Sequence, residues 1–185
     1  LPAVEALGAA TVICTDKTGT LTRNEIRVQE VVLADRRVSA ESLDFGDERD
    51  AWFVRIAALC GDATFSPTGW IGDPTETALA MAISAVDGER VREQTPRIDE
   101  FAFDSKRKRM STVHRWSDAN LLIAVKGAPE EVVARCTSIR TGSGTDLLSE
   151  ERKRRVLATA ADLGDRGWRT LALAYRVAPE MPSTA

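Results

Sequence analysis

The chain has 185 residues, 43% hydrophobic and 29% charged, with a net charge of −3, the profile of an ordinary globular chain long enough for one substantial core. The acidic balance argues against a dedicated nucleic-acid binder, which needs a strongly basic face, and no apolar run approaches the roughly 20 residues that cross a bilayer. Cys14, Cys60 and Cys136 lack CxxC spacing and His114 is the single histidine, so a zinc centre is excluded and the thiols read as reduced, small and buried.

In chain order, residues 11–15 form a short β-rich segment that runs into Asp16-Lys17-Thr18-Gly19-Thr20-Leu21-Thr22. A strand end followed by Gly and hydroxyl residues turns backbone N–H groups and a Lys ammonium toward a phosphate, with the Asp as in-line nucleophile. The chemistry this suggests is an aspartyl phosphate. A fixed string such as DKTGT arises by chance on the order of once in a few million positions. Residues 26–33 read as a strand. Residues 47–60 place apolar side chains at helical spacing and stop at Gly61.

Residues 61–72 form a turn-rich connector. Asp73-Pro74-Thr75-Glu76 then opens a second helix, to about residue 86, with a capping-box pattern that accounts for Glu76 locally. Short strands follow at 98–103, 109–115 and 120–126, and their tight polar links imply an antiparallel sheet. Residues 129–136 read as a short helix and 141–145 as a hairpin or loop. Ser149 caps a longer helix that runs to Leu163, and 168–175 return as a strand. The tail from Pro179 has no core-forming pattern. Sheet with helices packed on it is an α+β layout.

Segments 72–79, 103–111, 126–130 and 169–173 together hold what a nucleotide site needs: an aromatic face, a polar group for an exocyclic amine, and cations for phosphates. Residue type alone leaves other readings open. Phe103 shares a strand face with Phe101 and fits a core, whereas Lys126 and Arg169 read as solvated. Strand alternation splits the basic run 106–109 between two faces.

The stretch from Asp16 to Thr22 resembles the phosphorylation motif of P-type ATPases, ion pumps that pass through an aspartyl phosphate, and residues 1–8 resemble the link from a membrane helix into that motif in type II pumps. The four separated segments resemble, in the same order, the nucleotide-binding motifs of type II pumps, calcium pumps above all. The resemblance covers nearly the whole chain. It implies an antiparallel β-sheet flanked by helices, led by a short piece of an α/β phosphorylation domain: residues 1–24 the leading segment, 25–178 the nucleotide-binding domain, 179–185 a disordered or hinge-proximal tail.

The resemblance further implies ATP and Mg2+ as cofactors. Asp16 would take the phosphate, Lys17 and Thr18 would hold it, and the Asp16 carboxylate and Thr18 carbonyl would ligate Mg2+. Phe103 would stack on adenine with Glu76 facing its amino group, Lys126 and Gly127 would line the base and ribose side, and Lys108 and Arg169 would reach the phosphates. Asp104-Ser105 departs from relatives with Asn or Arg hereabouts. Thr18 stands where related phosphatases place an acid/base Asp, so the acyl phosphate is expected to persist.

Loops for a second magnesium contact and for dephosphorylation are absent from the sequence. The expectation is therefore a monomeric piece of a pump that binds nucleotide without turnover. Its partners would be the remaining domains and a transported cation, with calcium favoured by resemblance and manganese, sodium and protons open. Its location would be the cytoplasmic side of a bacterial plasma membrane. Two other classes compete: a non-catalytic interaction module, and a fragment of a haloacid-dehalogenase-type phosphatase or phosphotransferase.

Overall fold

The computed structural model of the chain describes residues 8–9, 11–12, 14–15, 25–44, 46–83 and 88–182. Asp16, Lys17 and Thr18 lie outside the described residues, as do residues 84–86 of the second predicted helix. Thr11, Val12, Cys14 and Thr15 are exposed and none is in a strand, because extended backbone becomes a strand only where a ladder forms. Cys14 is thus exposed, contrary to the expected burial; Cys60 is buried, Cys136 is half-buried, and all three thiols are free.

Glu30–Val32 (β1) pairs antiparallel with Arg37–Ser39 (β2). The predicted strand 26–33 is shorter than expected because only these residues of it find ladder partners. Helix α1 (Glu48–Leu59) starts where Asp47 Oδ1 accepts the Arg49 backbone N–H at 2.9 Å, an N-cap. The Arg49 guanidinium grips the same carboxylate and holds its pKa well below the usual range. Asp50, fully buried, pairs with Arg36 and accepts the Asp44 N–H at 2.9 Å, tying α1 to the segment before it.

The predicted connector contains a hairpin, Thr64–Ser66 (β3) with Gly69–Ile71 (β4), steadied by an edge-on Phe65–Trp70 contact. Helices α2 (Pro74–Ile83) and α3 (Gly88–Gln94) follow, the latter unforeseen. Strands β5 (Arg97–Asp104), β6 (Arg109–Ser117) and β7 (Asn120–Gly127) form the expected antiparallel meander. Helix α4 (Pro129–Val133), the hairpin Ser138–Thr141 (β8) and Gly144–Leu147 (β9), and helix α5 (Glu150–Asp165) lead to β10 (Ala172–Ala178). That last strand begins later than the predicted 168–175 and completes the sheet in the order β10-β7-β6-β5.

The core forms between α1 and one face of this sheet. Ile56, Leu59 and Cys60 pack on Met110, Leu122 and Ala124, while Val54, Ala57 and Ala58 pack on Leu79 and Ile83 of α2. Trp52 stacks on Tyr175 with ring centroids 4.0 Å apart, fixing the start of α1 over β10. On the other face, Val113, Ile123 and Ala178 gather Phe101, Leu121 and Val125. Among the described residues, no helix is long and apolar enough to cross a membrane.

Candidate functional site

Helix α2 forms half of the predicted capping box. Asp73 Oδ1 accepts the Thr75 N–H at 2.8 Å, but the Glu76 carboxylate turns elsewhere. Its Oε2 accepts the Asp62 N–H at 2.9 Å and its Oε1 pairs with Lys126. The tertiary partner wins because Lys126 is only 6% exposed, and a buried ammonium requires a counter-charge. The solvated reading of Lys126 and the purely local reading of Glu76 are both overturned.

Lys126 is buried because of its strand position. It shares the α1-facing side of β7 with Leu122 and Ala124, and the register sets it between Met110 and Leu173. Beyond Met110, two strand spacings or roughly 10 Å away, β5 is irregular between Phe101 and Asp104. The bulge breaks strict alternation. Phe101 packs with Val113 and Ile123, whereas Phe103 is 64% exposed, so the core reading fails and its ring stands open to solvent.

Gly127 sits where two backbones meet. A Cβ there would lie 2.5 Å from both Arg109 Cβ and Lys108 O, and the Ala128 N–H donates to the same Lys108 carbonyl at 2.9 Å. The basic run around Lys108 is mostly a turn and not an alternating strand. Asp104 Oδ1 accepts the Lys106 and Arg107 N–H groups at 3.0 and 2.9 Å, the usual way an Asp starts a turn. Lys108 ends it at φ 49° and donates to Glu130 Oε1 at 3.1 Å. Arg169, exposed, donates to Thr75 Oγ1 at 3.1 Å, one residue from Glu76.

The fold therefore joins Glu76 to Lys126, Lys126 to Gly127, and Gly127 to the Lys108 turn, with Arg169 anchored beside Glu76. Phe103 lies on the neighbouring bulged strand. Asp16, Lys17 and Thr18 are outside the described residues, and among those described no group of His, Cys, Asp and Glu is arranged to hold a metal ion. Residue reading missed Asp62, Thr75 and Glu130, each a partner distant in sequence from the side chain it holds. Cys60, beside Lys126 and Glu76, is no nucleophile: burial pushes its thiol up to about 11.

Residues 51–185 match the family model described as P-type ATPase, cytoplasmic domain N. The chain is 36% identical over 178 residues to calcium-transporting ATPase 1 of Bacillus cereus and 38% identical over 180 residues to calcium-transporting ATPase 1 of Lactococcus lactis. It is 32% identical over 196 residues to the sodium/potassium-transporting ATPase alpha subunit of Tetronarce californica. Each alignment takes in 95% of this chain, which spans only about a fifth of the length of these relatives.

Proposed function

The chain belongs to the P-type ATPases and carries their cytoplasmic domain N, and from that premise we propose that the surface around Glu76 and Lys126 binds ATP for a cation pump. Phe103 stacks on adenine and Glu76 accepts from its amino group. Lys126 and Gly127 line the base and ribose side, and Lys108 and Arg169 reach the phosphates. Residues 25–178 make up this domain. In the complete pump the γ-phosphate passes to a carboxylate oxygen of Asp16 and ADP leaves, while Lys17 and Thr18 hold the transferred group. Asp16 and Thr18 would hold Mg2+, which supplies positive charge between the phosphates and the attacking carboxylate.

The observation that carries this reading is the largely desolvated Glu76–Lys126 pair, with the open Phe103 ring on β5, two strands away in the same sheet. As a device for stability alone, such a pair does little better than a hydrophobic pair of the same volume. As a place to read a base it has a donor, an acceptor and a stacking face. The cation is proposed as calcium, after the two calcium-transporting relatives, and the setting as the cytoplasmic side of a bacterial plasma membrane.

A titration of the 15N-labelled chain with ATP, with and without Mg2+, tests the reading. We expect amide shifts clustered at Glu76, Phe103, Lys126 and Arg169; an unchanged spectrum at millimolar ATP would refute it and favour a module that only contacts other proteins. Phe103→Ala should weaken ATP binding by about 1–3 kcal/mol, the worth of a central aromatic contact. Equal affinities by calorimetry would remove Phe103 from the site.

A further inference from the structure

Four acceptors converge on Arg97. Its Nη1 donates to Asp62 Oδ1 at 2.6 Å and Glu100 Oε2 at 2.7 Å, and its Nη2 donates to the carbonyls of Leu59 at 3.2 Å and Gly61 at 2.7 Å. Those carbonyls lie at the C-terminal end of α1, where a helix leaves its last acceptors without intrahelical donors. Only a planar guanidinium with several fixed N–H groups bridges such a set; an ammonium presents a point charge instead.

The gripped turn is the one that holds the Glu76 carboxylate. The Asp62 N–H donates to Glu76 Oε2 at 2.9 Å, and a Cβ on Gly61 would fall 2.5 Å from that same oxygen. The turn meets the carboxylate by a hydrogen bond and by the lack of a side chain at Gly61. Arg97 holds that turn at Leu59, Gly61 and Asp62.

We infer that Arg97 is a positioning residue for base recognition: by clamping the turn 59–62 it fixes Glu76 Oε2, and so sets the preference for a 6-amino purine over a 6-oxo purine. The inference rests on the proposed reading of Glu76 as the group facing the adenine amine. Lys126 holds Oε1 and the Asp62 N–H holds Oε2, which leaves each oxygen a further lone pair for the amine. With the turn released, the carboxylate would pivot on Lys126 alone. The amine would lose an aligned acceptor, and a 6-oxo purine would lose the repulsion that rejects it.

The test compares ATP with inosine triphosphate by calorimetry on the full chain. Wild type should prefer ATP. Glu76→Ala and Arg97→Gln should each cut that preference by about tenfold, the scale of one hydrogen bond to a charged group. Arg97→Lys should fail to restore it. Asp62→Asn, an exposed change that weakens the clamp without touching the core, should cut it by about threefold and decides the matter if Arg97→Gln does not fold.

If Arg97→Gln and Asp62→Asn weaken both nucleotides equally while Glu76→Ala abolishes the preference, Arg97 is merely structural and the inference is overturned. If Glu76→Ala leaves the preference intact, the reading of Glu76 itself fails and the inference falls with it. ATP-dependent shifts at Phe103 would still report whether the site binds nucleotide.

Discussion

His114 shows how one side chain can make this domain sensitive to acid. It is 2% exposed, with Nδ1 2.9 Å from Thr95 O and Nε2 2.9 Å from Thr112 Oγ1. A carbonyl only accepts, so Nδ1 carries a proton, and a neutral ring then takes the Thr112 hydroxyl proton at Nε2. That hydroxyl also lies 3.1 Å from Leu59 O, so the two acceptors compete for one proton. Burial depresses the His114 pKa below its ordinary 6.5, and the nearby Arg97 charge acts in the same direction. The unfolded chain therefore takes up this proton first as pH falls. His114 contributes stability that is complete above the unfolded value of 6.5 and is lost as pH drops from there through the folded value, at no more than about 1.4 kcal/mol per pH unit. Urea unfolding at about pH 7.5 and about pH 5.5, on either side of the ordinary histidine range, should show that loss in wild type and a smaller one in His114→Gln. Equal losses in the two proteins would assign the acid sensitivity to carboxylates instead.

At the scale of elements, the β6–β7 pair is where site and framework coincide. Arg109 and Gly127 face each other in the ladder, and Gly127→Ala would force a methyl within 2.5 Å of Lys108 O and Arg109 Cβ. Backbone cannot yield as a flexible side chain does, so we expect a destabilisation of about 1–3 kcal/mol, as for overpacked interiors. Denaturant unfolding checks this, and a fully stable variant would show that the two strands can separate locally without cost. The same elements mark what could be read from sequence. β5, β6 and β7 were legible because long alternating runs joined by polar turns leave one sensible pairing, and α1 was legible because Asp47, the apolar spacing and Gly61 agree. The hairpin β3–β4 was not, since three-residue strands offer too little pattern to distinguish from a connector. Nor was the destination of Glu76, because a capping box is a local motif and the buried Lys126 that outbids it lies 50 positions away. Phe103 was ambiguous for a related reason: alternation assigns it to the core beside Phe101, and the bulge that exposes it leaves no signature in residue type.

Across the whole molecule, burial is uneven in a way that separates the site from its surroundings. The middle strands are buried on both faces over much of their length, whereas α5, the longest helix among the described residues, buries only Leu163. A helix held by so little apolar contact should open on its own, at a free energy below that of global unfolding. Native-state hydrogen exchange would then divide the amides into two classes. Those of β6 and β7 exchange only when the whole domain unfolds, and a ligand that binds the folded site must slow them, because it stabilises the native state over the unfolded one. Those of α5 exchange through an opening that leaves Glu76, Lys126 and Gly127 in place, so saturating ATP should leave their rates almost unchanged. If α5 slows in step with β6 and β7, its opening disrupts the site as well, and the domain unfolds as a single cooperative unit in spite of its uneven core.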